Sequence, residues 1–420
     1  MRNGKMLGRA FGVESAVVES IRDSDFGPGF VVRVRARAGD RDRCPVCLRR
    51  CPRYDAGGAW RRWRTHALGQ ARTTIEAEGH RVQCATHGVH VSHVPWARHR
   101  SGFTRSFEDE VTWFCVRTDK TTVCNMFGIA WRTVGAILER VAGARARSPT
   151  RLNGVRRIGI DEVSYRKGHR YLIAVVDHDT GRLLWAHPGR DAKTLAKFFR
   201  KMGKRRCRSL ELVSADAASW IHTAVTKYCP YAKLCIDPFH VVAWATKALD
   251  TVRRKLWNKL RNSNDQDGDE ATSMKRSRWV LLKNPDRLSG KQRRTLAEIK
   301  KANQPLYAAY LLKEQLREVF QNRDWQGALM LPEWVQMARR SRIPAFVKVA
   351  KTIETHLHGI QCALLFQLSN ARLESLNTKL ELLTRTAYGF HSAEPLVALA
   401  MLKFGGLCPQ EVSRNHLDRM

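Results

Sequence analysis

VRRIGIDEVSYRK (155–167), YLIAVVD (171–177) and RLLWAHP (182–188) decide the fold class. The first alternates as a strand does. The second is a continuous apolar run closed by the turn HDTG (178–181), and the third follows that turn directly. DAKTLAKFFRKMG (191–203) then has helical spacing, with Leu195, Phe198 and Phe199 on its inner face. LELVSAD (210–216) reads as a buried fourth strand, ASWIHTAVTKYC (218–229) as a short helix and AKLCID (232–237) as a fifth strand. A hairpin meander that feeds αβ crossovers predicts a mixed sheet, with the fourth strand beside the first.

This order matches a ribonuclease-H-like arrangement, and it gives three acidic residues a special place. Asp161 lies in the first strand and Asp216 ends the fourth, so adjacent strands bring their carboxylates together. Such a pair repels itself unless a cation or a shared proton intervenes. Magnesium or manganese, which take hard oxygen ligands, suit the pair. Glu374 sits in LSNARLESLNTKLELLTRT (368–386), an amphipathic helix. Asn370, Glu374, Asn377 and Glu381 form its polar stripe, and Leu373, Leu376, Leu380 and Leu383 its apolar face. Packed on the sheet by its leucines, this helix aims Glu374 along the sheet edge. Two metals held by Asp161, Asp216 and Glu374 would serve phosphoryl transfer, with Asp161 bridging both. Acidic residues at strand ends are also common as solvated groups, so the triad needs its structural context.

Outward toward the C-terminus, residues 241–350 are long, basic and helical in period, with 262–273 as the expected exposed loop; residues 351–420 form a final helical part. Toward the N-terminus, GARARSPTRLNG (143–154) reads as a linker. Before it, TTVCNMFGIAWRTVGAILERVAG (121–143) predicts a helix to Phe127, a left-handed turn at Gly128 and a second helix with Val134, Ile137, Leu138 and Val141 inward. That is a helix-turn-helix over 101–150, with Trp131, Arg132 and Thr133 at the start of the recognition helix as candidate DNA contacts. Residues 1–100 hold a basic lead-in, RVRARAGDRDR (33–43), and two knuckles, Cys44-Pro-Val-Cys47 and Cys84-Ala-Thr-His87. Strand-like sequence lies between them. Four such ligands can surround one structural zinc tetrahedrally, with Cys51, His90 and His93 as alternative members of the set. The other cysteines, Cys115, Cys124, Cys207, Cys229, Cys235, Cys362 and Cys408, read as small core residues.

Composition narrows the class. Of 420 residues, 74 are Lys or Arg and 39 Asp or Glu, a formal charge of +35. That excess points to a polyanionic partner, with nucleic acid ahead of a merely basic enzyme. Hydrophobic residues at 43% exclude wholesale disorder. No apolar run reaches a membrane span, and MRNGKMLGRAFGVESAVVES (1–20) lacks an export-signal core, so a cytoplasmic protein is expected. Eleven cysteines without such a signal argue against a disulfide framework.

The chain resembles bacterial insertion-sequence transposases of the ISL3 family. Beside the knuckles and the helix-turn-helix, the resemblance rests on GIDEVSYRKGHRY (159–171), IDPFHVV (236–242), RWVLLKNPDRLSGKQ (278–292) and SNARLESLNTKLELLTRTAYGF (369–390). It implies a multidomain α+β protein: an N-terminal zinc ribbon and helix-turn-helix, then a ribonuclease-H-like mixed-sheet core (151–240 and 351–420) interrupted by an all-helical insertion (241–350). It implies a DDE transposase that binds double-stranded DNA at terminal inverted repeats and at a target. The enzyme cuts with water, joins 3′ hydroxyls, and assembles as a homodimer or higher on DNA at the nucleoid. Carried over, the catalytic set is Asp161, Asp216 and Glu374. Asp237 and His240 form the family's Asp-x-x-His pair, read as supporting residues or a structural corner. Asp237 could stand as the second aspartate, but the strand order favours Asp216. The alternative function is a catalytically silent or domesticated DNA-binding regulator, which has no need of three carboxylates at a sheet.

Overall fold

Alternating apolar residues build two separate sheets in two compact units, Met1–Ser148 with Thr384–Met420, and Pro149–Leu383. The structure, a computed structural model, describes residues 2–13, 16–25, 27–166, 168, 170–262, 268–321, 324–387, 389–390 and 392–410. Within the stretches named above, Met1, Glu14, Ser15, Lys167, His169, residues 263–267 and Tyr388 lie outside the described residues.

The first unit begins with α1 (Arg2–Ala10), β1 (Ala16–Asp23), β2 (Gly29–Ala36), β3 (Arg53–Arg64), β4 (Arg72–Cys84) and β5 (Gly88–Val91). The sheet order is β1-β2-β4-β3, with β5 paired to β4. Only the β2–β4 pairing is parallel. Strand alternation sends Val32, Val34, Trp63, Ile75 and Ala77 to one face, where they pack with Phe11 and Trp96. Three helices follow: α2 (Arg105–Arg117), α3 (Lys120–Phe127) and α4 (Trp131–Arg145). The Asp119 side chain caps α3 by accepting from the Thr122 amide, and α3 ends at Gly128, whose φ of +55° only glycine adopts without strain. The expected inner residues of α4 (Val134, Ile137, Leu138 and Val141) are all buried.

The second unit carries β6 (Arg157–Arg166), β7 (Arg170–Asp177), β8 (Leu183–Pro188), α5 (Ala192–Met202), α6 (Lys204–Arg208), β9 (Leu212–Ala215), α7 (Ser219–Tyr228) and β10 (Lys233–Ile236). Its order is β10-β9-β6-β7-β8, so the fourth strand of this unit does lie beside the first, and parallel to it. Ile158, Ile160, Ile173, Val175 and Val213 face Leu195, Phe198, Phe199 and Ile221 on one side of the sheet. After β10 the described chain is helical: α8 (Pro238–Asn262), α9 (Gly268–Arg276), α10 (Arg278–Leu282), α11 (Gly290–Ala302), α12 (Gln304–Gln321), α13 (Trp325–Arg340), α14 (Pro344–Thr355), α15 (Leu357–Leu365) and α16 (Ala371–Thr386). The loop expected over 262–273 is thus helical from Gly268, Asn262 still belongs to α8, and residues 263–267 lie outside the described residues. The helices α8 to α15 share an apolar core that includes Leu249, Leu316, Trp334 and Phe346. A last helix, α17 (Ala393–Phe404), packs on α4, so residues 351–420 are shared between the two units. Among the described residues no helix is long and apolar enough to cross a membrane. Five of the seven scattered cysteines are buried as expected, but Cys124 and Cys408 are only half-buried, because α3 and the stretch after α17 leave one side open.

The second face of the β6–β10 sheet takes α15 and α16. Gly159 makes that approach possible: a Cβ there would stand 2.6 Å from Leu373 Cδ1 and 2.9 Å from His178 Nε2. Leu373 is fully buried, so Gly159→Ala must push it or α16 aside. Such overpacking costs about 1–3 kcal/mol. The variant is expected to unfold at lower denaturant than the parent in a fluorescence-monitored titration, and an unchanged midpoint would mean that α16 does not press on β6.

Candidate active site and metal centre

Strand register brings three aspartates into one row. Ile160 of β6 pairs with Ala215 of β9, and Ala215 pairs with Ile236 of β10. The next residues are Asp161, Asp216 and Asp237, in that order across three parallel strands. Neighbouring strands lie about 4.8 Å apart. Asp216 therefore adjoins Asp161, and Asp237 is one strand further away. By alternation, all three share the sheet face that takes α16.

Helix α16 crosses the row by its polar stripe. At one end the Asn370 backbone amide donates to Asp237 Oδ1 at 3.4 Å, and Asn370 Oδ1 accepts from the Ser214 hydroxyl at 2.6 Å. At the other end Asn377 Nδ2 donates to Asp161 Oδ2 at 2.6 Å. Glu374 lies between these two on the same face and is exposed. The hydrogen-bond chain continues beneath the helix. Ser214 Oγ lies 2.7 Å from His178 Nε2, and since the serine proton goes to Asn370, the imidazole must donate there. Ser214, Asn370, Asp237 and His178 are all buried.

The electrostatics follow from this packing. Burial pushes the Asp161 carboxyl up to about 6; the Asn377 hydrogen bond opposes the rise and the charge of Asp216 adds to it. Burial also raises Asp237, whose Oδ2 has no hydrogen-bond partner among the described residues. His240, in the first turn of α8, stands between two of the acids, with Nε2 2.7 Å from Asp216 Oδ1 and 3.9 Å from Asp237 Oδ2. The Asp216 contact raises its pKa against desolvation. Burial raises Glu162 too, and Arg190 pairs with it. The sequence reading singled out Asp161, Asp216, Asp237, His240 and Glu374, and all five stand around this one row. It passed over Ser214 and His178, and it placed Asn370 and Asn377 only on a polar stripe. Their spacing of four and three around Glu374 was the visible signal.

In the first unit, one donor atom each from Cys44, Cys47, Cys84 and His87 lie within 4.8 Å of one another. Cys44 Sγ is 3.7 Å and Cys84 Sγ 3.4 Å from His87 Nδ1, and the sulfurs of Cys47 and Cys84 are 3.8 Å apart. These are tetrahedral edges for metal bonds of about 2.0–2.3 Å. Hydrogen bonds from the Thr86 backbone and from His87 bring the Cys84 thiol down to about 6, toward the thiolate a metal needs. Among the described residues the mutually close donor set is these four alone; Cys51 Sγ donates to the Arg49 carbonyl, His90 Nε2 contacts the His87 carbonyl, and His93 stands outside the set. On α4, Trp131 and Arg132 are exposed and Thr133 is half-buried, with Lys120 Nζ 4.4 Å from the Trp131 ring centre.

Comparison with known proteins gives the same outline. A family model described as a transposase matches residues 158–400, and one described as the helix-turn-helix domain of transposase family ISL3 matches residues 92–142. The chain is 45% identical, over 99% of its length and of the relative's, to the transposase for insertion sequence element IS1557 of Mycobacterium tuberculosis. It is 27% identical to the transposase for insertion sequence element IS1001 of Bordetella parapertussis, over 84% of this chain and 86% of that one.

The buried imidazole makes a pH-dependent contribution to stability. Burial lowers His178 from 6.5 to about 4. Between those values the unfolded chain takes up a proton that the folded chain refuses, so stability falls as pH drops through that window, by up to about 3 kcal/mol. His178→Gln can still donate to Ser214 and has no proton to gain. Its denaturant midpoint is expected to vary less than the parent's between pH 7 and 4.5. Equal variation in both proteins would show that His178 does not stay neutral in the fold.

Proposed function

The chain belongs to the ISL3 family of insertion-sequence transposases, and from that premise we propose a DDE strand-transfer enzyme that binds the terminal inverted repeats of its element, cleaves there and joins the freed 3′ hydroxyls to target DNA. The observation that carries the proposal is the row of Asp161 and Asp216 at paired strand ends, crossed by the helix that bears Glu374. The sheet order supports a ribonuclease-H-like core, begun over 151–240, interrupted by the helices of 241–350 and completed from 351 onward. Residues 1–100 are then the zinc-ribbon region and 101–150 the helix-turn-helix.

The donors suit the metals this reading needs. Hard carboxylate oxygens converge at the row, where the Asp161 carboxyl is raised to about 6 by burial and by the charge of Asp216, with the unpartnered Oδ2 of Asp237 beside the pair. Asp161, Asp216 and Glu374 would hold magnesium or manganese, which supplies activation of the attacking oxygen and stabilisation of the leaving one. Asn377 fixes one oxygen of Asp161 and the Glu162 backbone amide the other, so the carboxylate is held in one orientation with its remaining lone pairs available to a cation. His240 holds Asp216 by one oxygen, and Asp237 ties the start of α16 to β10, so both act as positioning residues. The four-donor cluster suits a structural zinc, which would hold the knuckle before β3 to the one at the end of β4. Trp131, Arg132 and Thr133 face the terminal repeat, and assembly into a dimer or higher form on DNA, in the cytoplasm at the nucleoid, completes the proposal.

Two experiments test it. Asp161→Asn and Asp216→Asn are expected to abolish single-turnover cleavage of a labelled terminal repeat, because each removes charge stabilisation commonly worth several kcal/mol. Asp237→Asn should retain measurable cleavage, reduced roughly 10–100-fold as for an outer partner. A dead Asp237→Asn beside an active Asp216→Asn would move the second catalytic position to Asp237. For the knuckles, purified protein should hold about one zinc. Cys84→Ser should lose it and Cys51→Ser keep it, as read by metal analysis; zinc retained in Cys84→Ser would refute the assigned ligands.

A further inference from the structure

The sheet of the first unit has a second face, away from the Trp63 core. Register places Arg33 of β2, Glu76 of β4 and Arg62 of β3 directly opposite one another in one row. The neighbouring rows hold Arg22 of β1 with Arg64 of β3 on one side, and Trp60 opposite Glu78 on the other. Glu76 is buried, with 3% of its side chain accessible, yet it faces three arginines: Arg62 at 3.0 Å, Arg33 at 3.5 Å and Arg22 at 3.6 Å. Those side chains remain 45%, 41% and 38% accessible, respectively. Arg33 also stands over the exposed Trp60 ring at 4.1 Å.

We propose that this arginine face binds the sugar-phosphate backbone of DNA, next to the base pairs engaged by the helix-turn-helix; the proposal rests on the DNA-binding reading above and extends its footprint. A buried carboxylate is costly unless it stays paired and hydrogen-bonded. Glu76 has three cationic partners, so two guanidiniums can turn to phosphates without leaving it unpaired. Glu76 thus serves as an anchor that gathers and orients the arginines. Asp25, 2.7 Å from Arg22, still leaves two carboxylates facing three guanidiniums, and Glu78 marks the far end of the positive face. Guanidiniums match phosphate oxygens in a fork geometry, and an exposed indole offers deoxyribose an apolar platform.

The occupant is argued from continuity. Residues 60, 62 and 64 point the same way along β3. Arg64 ends that line by donating to the backbone carbonyls of Phe127 and Gly128, the turn that leads into α4. The arginine face and the recognition helix are therefore joined by one side chain in one unit. On this proposal, a duplex engaged by Trp131–Thr133 would present its neighbouring phosphates to Arg62 and Arg33.

The test uses the full-length, zinc-loaded protein with two labelled duplexes, one carrying the element's terminal repeat and one a scrambled sequence of equal length. Each phosphate contact contributes about 0.9 to the slope of log K against log salt. Arg33→Gln with Arg62→Gln, which keeps the aliphatic stems, is expected to reduce that slope by about two and to weaken both duplexes alike. Arg33→Lys with Arg62→Lys should restore the slope. Should the double Gln variant lose its zinc, each single Gln variant answers instead, with a reduction of about one. Arg132→Ala serves as the contrast, since it should weaken the terminal repeat more than the scrambled duplex. An unchanged slope in the Gln variants while Arg132→Ala still discriminates would overturn the arginine face alone. No effect from Arg132→Ala either would overturn the helix-turn-helix reading with it. A change in sedimentation mass with undisturbed DNA binding would reassign the face to contacts between copies of the chain.

Discussion

The candidate site depends on a short chain of buried hydrogen bonds: His178 to Ser214, Ser214 to Asn370, and the Asn370 amide to Asp237. It does what no local sequence preference can do. The chain leaves the sheet at Ile236, makes a long helical excursion and returns at Asn370, where α16 must land within a fraction of an ångström to be useful. Extra length in such an excursion is cheap, because closure entropy rises by only about 0.6 kcal/mol per doubling. Correct landing is the harder requirement. Apolar packing of Leu373, Leu376 and Leu380 supplies adhesion, but leucines tolerate sliding. Buried polar atoms do not: each one left unpaired costs about 1–3 kcal/mol, so a shift of α16 by one position would strand several at once.

Against this fixed frame stands a deliberate electrostatic misfit. Asp161, Asp216 and Asp237 occupy neighbouring strand ends, and Glu374 faces them. His240 stands between two of them, and the Asp216 contact raises its pKa. Burial and mutual repulsion raise Asp161, so the folded chain carries carboxylates that would rather be neutral. Nothing about folding asks for that arrangement, and a smaller residue at any of the four positions would relieve it. Strain of this kind is retained at functional sites because a bound cation relieves it.

Much of this was legible in the sequence, and the reasons are specific. The five strands of the core showed because alternation and apolar runs differ from helical spacing. Their order then put Asp161 beside Asp216, since the fourth strand returns parallel to the first. Gly128 marked the turn before α4 because few other residues accept its backbone angles. The knuckles showed because the Cys-x-x-Cys and Cys-x-x-His spacings are themselves the geometry. What stayed hidden was set by contacts across long separations. Ser214 and His178 look like ordinary strand and turn residues until α16 is laid over them. Arg33, Glu76 and Arg62 look like a scattered mixture of charges until register aligns them. The placement of α17 against α4 is equally silent, since an apolar helix does not name its partner.

The choice of asparagine at 370 and 377 has a physical logic of its own. The stripe that meets the sheet must hold it tightly, and it must also present a carboxylate. Charged groups at all three positions would either add to the crowding of the aspartates or, as lysine or arginine, neutralise them and close the site. An amide donates a hydrogen bond without bringing net charge. Asn377 therefore restrains one oxygen of Asp161 without taking the place of a cation, and Asn370 accepts from Ser214 while its own backbone secures Asp237. Glu374, between them, is left as the one carboxyl that this stretch of the helix brings to the crossing and is exposed rather than pinned. Docking and chemistry are thus divided between neutral and charged residues on a single helical face. The division explains how α16 can be held rigidly at both ends of the row while the group proposed to meet an incoming cation keeps its freedom to turn.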